Sequence, residues 1–447
     1  MATMMSTRTD ASQSAVAGAA TALQRQEAAV VAEKVKQMLD ACSKGDLPTI
    51  RSITQLPNGH VFVSQQDDTT GVSPLMVASQ AGNIQLVEML LNEGAPWNAI
   101  DRQGKCAGDY ATNAEKWDVV NLLVEWATRS ELILGTTQRS QQAATGTNNH
   151  QPPEDLTSTK TDYLSHNIRY NTDGTALLDQ DNDAIMMAWE RPIMKAHASI
   201  MLGGDGVDSS GVRAHRRFMN VGFGMGIIDT EIQENYKPSH HIIIEAHPQV
   251  YANMLKAGWD KKPGVQIYHG KWQDIIPKLI HDEQQKVQRN GDISTSSTNV
   301  SLDIDAIFYD TYAEHAMDME DFHSYLPQLL SKRQGIYSFF NGLAPDNLFF
   351  HGVACNVVKL QLSQIGFDTE YLQCQIQANS DKVWDGVKRK YWHNRDTYYL
   401  PRITWNQEVL GRKNKAGSSS GGVDAAVGMD VEDEQGDPNN SKRQRMG

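Results

Sequence analysis

Closely spaced glycines mark the stretch of sequence best suited to hold a ligand. The segment VGFGMGII, residues 221–228, follows an apolar run that predicts a β-strand over Phe218–Val221. Glycines at this position let the backbone pass against a ligand with no Cβ in the way. The next predicted strand ends in Glu245, whose carboxylate can accept both hydroxyls of a ribose. A nicotinamide-binding domain and an adenosyl-binding domain are both compatible with this pair of features.

A polar residue beside an aromatic follows the fourth predicted strand, in the order Asp310, Thr311, Tyr312. In open α/β sheets, ligands bind beyond the carboxyl ends of the strands. A polar residue and an aromatic at this position are typical of enzymes that methylate nitrogen. The glycine spacing GxGxG also lacks the last glycine of the dinucleotide fingerprint, which disfavours a nicotinamide site. The alternative is that Asp310 merely caps the following helix.

Short apolar runs alternate with helical patterns through the second half of the chain, which predicts a mostly parallel sheet. Two later runs lack a helix-length spacer between them and suit an antiparallel pair at one edge. The predicted fold is therefore an α/β, Rossmann-like, seven-stranded sheet of the class I methyltransferase type. Its predicted strands are Phe218–Val221, His241–Glu245, Val265–Tyr268, Asp305–Tyr309, Gly335–Phe340, Thr369–Ile376 and Tyr398–Trp405.

An internal repeat precedes this domain. The segment from Asp68 to Asn98 resembles an ankyrin repeat in its turn, its two helices and its outgoing loop. A weaker copy follows at a spacing of 33 residues, so that Gly71 corresponds to Gly104 and Leu90 to Leu123. A partial copy lies around Ala41–Ile53, and a helix predicted near Leu23–Leu39 covers the end of the stack. An accidental helical hairpin is the alternative, whereas a true ankyrin stack predicts a protein-docking surface.

Changes in composition suggest the boundaries of five segments. They are a flexible N-terminus over 1–21, an all-α ankyrin module over 22–135, a linker over 136–160, the methyltransferase domain over 161–411 and an acidic tail over 412–447. Within the catalytic domain, the polar stretch His281–Asn299 predicts a surface insertion. The tail reads as disordered, and its basic cluster Ser441–Arg445 is either a solvated charge run or a nuclear signal.

Composition excludes several classes of protein. No apolar run is long enough for a membrane helix, and the N-terminus lacks the pattern of a secretory signal. The four cysteines are widely separated, and neither they nor the histidines at 240, 241, 315, 323 and 351 show metal-ligand spacing. A net charge of −13 argues against direct nucleic-acid binding. We expect a protein of the cytoplasm that has no bound metal, with nuclear entry left open.

Five ordered segments carry a more specific resemblance. MMAWERPIM (186–194), VGFGMGII (221–228), IIIEAH (242–247), HGKWQDI (269–275) and IFYDTY (307–312) together resemble guanidinoacetate N-methyltransferase. The combination with an ankyrin module is similar, more narrowly, to the fungal and plant-type protein arginine N5-methyltransferases. That resemblance implies S-adenosyl-L-methionine as the cofactor and the δ nitrogen of a peptidyl arginine as the methyl acceptor.

The resemblance also implies which residues hold the cofactor. Glu245 would bind the ribose, and Tyr163 is the candidate aromatic that closes the pocket. His247 and Lys271, which would lie beside the adenine, replace residues found in the small-molecule enzyme. The remaining residues of the implied cofactor site are Met186, Met194, Gly222, Phe223, Gly224, Met225, Gly226, Ile227, Ile228, Ala246, Gly270 and Asp310, with Trp272 beside the purine. The two methionines could equally fill the core.

Glu190 and Asp310 are the implied catalytic pair. A guanidinium is planar, carries five donors and stays protonated near neutral pH. Two carboxylates can clamp it and direct one nitrogen toward the methyl group. One of them can then accept the proton that this nitrogen must lose. The alternative for Glu190 is a plain surface residue ahead of Pro192.

Three functions fit the sequence. The first is a protein arginine N5-methyltransferase whose protein substrate docks on the ankyrin module. The second is a methyltransferase for a small guanidino compound such as guanidinoacetate, which has no evident need for a docking module. The third is a catalytically silent ankyrin adaptor, which the retained Glu190, Glu245 and Asp310 argue against.

Overall fold

A computed structural model describes residues 29–145, 163–203, 216–289, 301–312, 316–376, 381–388, 390–392 and 396–411. The predicted flexible N-terminus, most of the linker, the acidic tail with its basic cluster, and His315 lie outside these residues. Within the described residues, no helix combines the length and the apolar character needed to cross a membrane.

Paired helices form the N-terminal module. Helix α1 spans residues 29–44. It is followed by α2 (Leu47–Thr54), α3 (Gly59–Ser64), α4 (Pro74–Ala81), α5 (Ile84–Asn92), α6 (Ala107–Asn113) and α7 (Trp117–Thr145). Ser73 caps α4 by accepting the backbone N–H of Met76 at 3.2 Å, and Asn83 caps α5 through Leu86 at 3.1 Å. Such local caps fix where each helix begins, so the repeat spacing in the sequence sets the spacing of the helices.

Apolar residues at helical spacing bury one face of each helix. Leu75, Leu86, Leu90 and Leu123 are fully buried in one core, and α4 packs directly on α6. Gly82 ends α4 in the left-handed region at φ 75°, a conformation that favours glycine. The observed helix pairs match the predicted repeat units.

A seven-stranded sheet forms the second part of the fold. Its strands are β4 (Arg217–Val221), β5 (His240–Glu245), β6 (Val265–His269), β7 (Ala306–Tyr309), β8 (Ile336–Phe339), β9 (Phe367–Gln375) and β10 (Thr397–Trp405). The spatial order is β6-β5-β4-β7-β8-β10-β9, and β10 runs antiparallel to both of its neighbours. The seven predicted strands and the antiparallel edge pair are confirmed.

Helices connect and cover these strands. They are α8 (Arg191–Leu202), α9 (Ile227–Glu231), α10 (Pro248–Lys256), α11 (Trp272–Arg289), α12 (Ala316–His323), α13 (Leu326–Leu329) and α14 (Leu348–Gln364). A small antiparallel sheet of β1 (Arg169–Tyr170), β2 (Ala176–Leu178) and β3 (Ala184–Met187) precedes α8 and was not predicted. Strands this short carry too few residues to show an alternating pattern.

Two helices extend into the segments that polar composition marked as a linker and as a surface insertion. Helix α7 runs to Thr145 inside the predicted linker, and α11 runs to Arg289 inside the predicted insertion. The linker prediction was wrong at residues 136–145, whereas the predicted surface insertion is helical over residues 281–289. Gln, Arg, Lys, Glu and Ala are strong helix formers, so a helix can continue on the surface without an apolar stripe. In α11, a Lys286–Glu283 ion pair at 3.1 Å adds support.

Helix α14 joins the ankyrin module to the sheet. Phe349 and Val353 of α14 lie in the ankyrin core rather than in the core beneath the sheet. Asn347 donates to the Asp109 carboxylate at 2.6 Å, immediately before α14 begins. The module and the sheet therefore share one compact unit that ends at Trp405, and residues 406–411 belong to a separate unit.

Candidate active site

The glycine loop after β4 requires glycine at its first position. Gly222 has φ 95°, and a Cβ there would lie 1.9 Å from the Asp310 backbone oxygen. Gly224 has φ 54°, and a Cβ there would press on the Met186 sulfur at 3.0 Å. The backbone N–H of Gly222 donates to Ile244 at 2.9 Å, and that of Asp310 donates to Val221 at 2.9 Å. These bonds hold the ends of three neighbouring strands at one edge of the sheet, as the sequence predicts.

Glu245 organises the loop from the end of β5. Its carboxylate accepts the backbone N–H of Phe223 at 2.9 Å and of His247 at 2.6 Å. Burial raises the pKa of Glu245, and the N–H donors partly counter that rise. Each carboxylate oxygen has a second acceptor site, so the ionised group can still receive hydroxyls from a ligand.

A cavity of about 440 Å³ opens at this edge of the sheet. Eleven of the residues implied by the resemblance line it: Tyr163, Met186, Glu190, Gly222, Gly224, Glu245, Ala246, Gly270, Lys271, Trp272 and Asp310. They come from the turn before the small sheet, from β3, from the turn before α8, from the ends of β4, β5, β6 and β7, and from the start of α11. The fold thus brings together residues that are far apart in sequence.

Aromatic rings form one side of the cavity. The Tyr163 ring centroid lies 5.0 Å from that of His247 and 4.8 Å from that of Tyr312. The Tyr312 hydroxyl donates to the Asp179 carboxylate at 3.3 Å. His247 also caps α10 and reaches the His166 carbonyl through Nε2 at 3.1 Å. Tyr163 is therefore fixed beside the residues that follow β5 and β7, as expected for an aromatic that closes a pocket.

Two acidic side chains occupy the part of the cavity beyond β4. Glu190 is buried at 3% exposure, accepts the Met187 N–H at 2.9 Å and accepts a hydrogen bond from the Tyr391 hydroxyl. Burial and repulsion from Asp310 raise the pKa of Glu190 to about 8. Burial also raises the pKa of Asp310 to about 7. Paired carboxyl groups with raised pKa values in a cavity are suited to bind a cation or to accept a proton.

Several residues of the implied cofactor site have side chains elsewhere. Met194, Ile227 and Ile228 fill the core beside α8. Phe223 turns away from the cavity and packs on Trp259 at 5.1 Å between ring centroids. Met225, Gly226 and His247 do not line the cavity either. In the structure, these seven residues contribute to packing, loop geometry or helix capping, and their contact with a cofactor stays a prediction.

Other lining residues were not predicted as site residues. They include Asp183 just before β3, Thr311 after β7, and Tyr391 and Trp392 between β9 and β10. Thr311 lies inside a motif that the sequence already marks. The other three follow no recognisable motif, and only the folded chain places them at the cavity.

Three of the histidines noted in the sequence, at 241, 323 and 351, make hydrogen bonds to neighbouring groups. His241 Nε2 contacts the Asp229 carboxylate at 2.8 Å, and Asp229 also accepts from Asn220 at 2.7 Å beneath the glycine loop. His323 contacts the Tyr337 hydroxyl at 3.1 Å, and His351 contacts the Leu343 carbonyl at 2.5 Å. Among the residues that the structure describes, no group of three or more His, Cys, Asp or Glu side chains could hold a metal ion.

The sheet order, the glycine loop after β4 and the carboxylate at the end of β5 define an α/β methyltransferase domain behind an ankyrin module. Residues 38–131 match the profile of ankyrin repeats in three copies, and residues 155–341 match that of guanidinoacetate N-methyltransferase. Protein arginine N-methyltransferase 2 of Aspergillus oryzae is 32% identical over 82% of this chain and 95% of its own length.

Further relatives carry the same name. The Aspergillus fumigatus protein is 30% identical over 82% of this chain and 95% of its own length. The Yarrowia lipolytica protein is 37% identical over 56% of this chain and 48% of its own length. The chain belongs to the protein arginine N-methyltransferase 2 family.

Proposed function

We propose that this chain transfers the methyl group of S-adenosyl-L-methionine to the δ nitrogen of arginine residues in a protein substrate. One observation carries the proposal. Glu190 and Asp310 face a single cavity on one side of β4, while the glycine loop and Glu245 form its wall on the other side. The two sides suit a cationic acceptor and a nucleoside-containing donor respectively.

The residues of the donor side fit the proposed cofactor. Glu245 retains acceptor sites for ribose hydroxyls, and Gly222 and Gly224 present backbone without side chains to the cavity. Ala246 and Gly270 keep the adjacent wall small, and Tyr163 supplies an aromatic face. When bound, S-adenosyl-L-methionine supplies an electrophilic methyl group on a sulfonium.

The acceptor side, formed by Glu190 and Asp310, suits a guanidinium as the group that receives the methyl. Glu190 can pair with the terminal nitrogens of the planar group, and Asp310 can accept the N–H of the δ nitrogen, which then loses its proton to Asp310 as the N–CH3 bond forms and the sulfonium C–S bond breaks. Arrival of the cation favours ionisation of both acids and offsets the burial that raises their pKa values. Asp310, with a pKa near neutrality, is suited to accept the proton that the guanidinium releases.

The distribution of charge on the cavity wall favours a peptidyl arginine over a small guanidino acid. Lys271 is the only lysine or arginine among the described residues that line the cavity, and it follows β6, on the far side of β5 and β4 from Asp310. Within the part of the chain that the structure describes, no lysine or arginine lines the cavity beside the acidic pair to receive a free carboxylate such as that of guanidinoacetate. This favours a peptidyl arginine, and we propose that its protein is received by the ankyrin module.

The test uses the purified chain, methyl-labelled S-adenosyl-L-methionine and an arginine-rich protein extract, with guanidinoacetate and free arginine in parallel. Fragmentation in the mass spectrometer separates label on the δ nitrogen from label on a terminal nitrogen. The proposal predicts δ-labelled protein arginine that is lost in the Asp310→Asn variant. Label on terminal nitrogens, or on guanidinoacetate alone, would overturn it, and binding of the cofactor without transfer would favour an adaptor.

A further inference from the structure

The segment between β9 and β10 brings a tyrosine hydroxyl onto Glu190. Tyr391 is 201 residues away in sequence, and its hydroxyl donates to Glu190 Oε1. The same oxygen accepts the Met187 N–H at 2.9 Å. This segment lies beyond residues 155–341, the stretch that resembles guanidinoacetate N-methyltransferase. Tyr391 therefore lies outside the matched region, whereas Glu190 lies inside it.

Indole rings hold Tyr391 in place. Trp384 meets the Tyr391 ring edge-on at 4.9 Å between centroids and 89° between planes. Trp189, the residue before Glu190, lies 5.9 Å from the Tyr391 ring and 6.1 Å from the Trp392 ring. Because both Glu190 and its chain neighbour contact this cluster, the direction of the carboxylate is set by the segment that carries Tyr391.

We propose that Tyr391 is a positioning residue that favours the ionised form of the Glu190 carboxylate and holds it in the orientation needed to pair with the arginine guanidinium. The inference rests on the proposed function, because it assigns the guanidinium to Glu190. Tyr391 acts through Glu190 and takes no part in the movement of the methyl group or the proton.

The charges around Glu190 explain why such a residue is needed. The groups that face Glu190 are Asp310 after β7, Tyr391 in the segment between β9 and β10, and Tyr398 on β10. Burial and Asp310 both raise the pKa of Glu190, whereas the hydrogen bond from Tyr391 lowers it. Burial raises the pKa of Tyr391 and of Tyr398 well above the usual range, so both hydroxyls keep their protons at working pH. Removal of the Tyr391 hydroxyl therefore leaves Glu190 harder to ionise.

The test compares Tyr391→Phe with Tyr399→Phe in the full chain. Tyr399 lies on β10, close in sequence to Tyr391. Its ring packs on His351 and does not line the cavity. The first readout is calorimetric binding of Nα-acetyl-arginine amide, a mimic of one peptidyl arginine, between pH 6 and pH 9.5. The second is the pH profile of kcat/KM for methyl transfer.

Tyr391→Phe should weaken binding of this probe about three- to tenfold at pH 7, because a rise of one pKa unit is a tenfold loss of the ionised fraction. The loss should shrink toward pH 9.5, and the acidic limb of the kcat/KM profile should move to higher pH. Tyr399→Phe should match the unmodified chain in both readouts. A Glu190→Gln variant should bind the probe weakly at every pH and show no further loss when Tyr391→Phe is added.

Two results would overturn the inference. One is an unchanged pH dependence in Tyr391→Phe, and the other is a loss of binding that stays constant from pH 6 to pH 9.5, since that marks a purely structural role. Failure of the proposed function looks different: the unmodified chain would bind the arginine probe with the expected pH dependence but transfer no methyl group. Absence of probe binding by the unmodified chain at every pH would contradict both.

Discussion

The two sides of the cavity, the donor side with the glycine loop and Glu245 and the acceptor side with Glu190 and Asp310, differ in how their carboxyl groups are satisfied. On the donor side, Glu245 already satisfies backbone N–H groups of Phe223 and His247, and glycines leave the wall bare. On the acceptor side, Glu190 and Asp310 have raised pKa values of about 8 and about 7. The donor side is thus complete before a ligand arrives, whereas the acidic pair gains its full charge only when a cation arrives. Under the proposed function, the shape of the wall would select the donor and charge would select the acceptor.

Asp310→Ala breaks the acceptor side and should have the largest effect. We expect kcat/KM to fall by about 10²–10³, the usual loss when one preorganised polar group at a reacting centre is removed. The affinity for S-adenosyl-L-methionine, measured by calorimetry, should change little. The exposed Asp282→Ala serves as the control. An equal loss of transfer and of cofactor binding would show that Asp310 supports the donor side or the fold instead.

Glu245→Ala breaks the donor side. The carboxylate contributes charge-assisted hydrogen bonds, each worth about 1.5–3 kcal/mol, so the Kd for S-adenosyl-L-methionine should rise about 10- to 100-fold. Binding of the arginine probe should be almost unchanged. The exposed Glu234→Ala should behave like the unmodified chain. A Kd for the cofactor that does not move would remove Glu245 from the donor side.

Glu190→Gln separates stability from activity. The folded-state pKa of Glu190 is about 8, above its ordinary value, so its contribution to stability is full at low pH and is lost as pH rises through about 8. Glutamine carries no such loss. Relative to the unmodified chain, the variant should gain on the order of 1–3 kcal/mol in free energy of unfolding between pH 5 and pH 9, while losing activity. A stability difference that is the same at pH 5 and pH 9, measured by denaturant titration, would contradict the assigned pKa.

A pair of glycine variants probes the ankyrin interface, away from both sides of the cavity. A Cβ at Gly108 would lie 2.0 Å from the Phe349 ring, whereas a Cβ at Gly352 would meet nothing within 4 Å. Gly108→Ala should lower the free energy of unfolding by about 1–3 kcal/mol through overpacking. Gly352→Ala in α14 should be neutral or stabilising by up to about 1 kcal/mol. Equal stabilities in chemical denaturation would mean that Phe349 is not fixed against the module.

The sequence predicted most of the fold because its signals are local. Apolar runs ending in glycine or a carboxylate mark β4, β5 and β7, and the repeat spacing marks the ankyrin helices. The surface extensions of α7 and α11 and the two- to four-residue strands of the small sheet were missed. Neither feature produces an apolar period long enough to detect.

The site divides in the same way. Gly222, Glu245 and Asp310 follow strands directly, so their meeting at one sheet edge is predictable from topology. Whether a side chain in the glycine segment turns to the cavity or to the core is not predictable, and Phe223 turns to the core. Tyr391 reaches Glu190 from the far end of the domain through tertiary packing alone.

The most direct test of the account is a crystal structure of the chain with S-adenosylhomocysteine and an arginine peptide. The account predicts ribose hydroxyls on Glu245 and the guanidinium between Glu190 and Asp310, with the δ nitrogen facing the sulfur. A guanidinium outside the acidic pair, or a terminal nitrogen facing the sulfur, would contradict it.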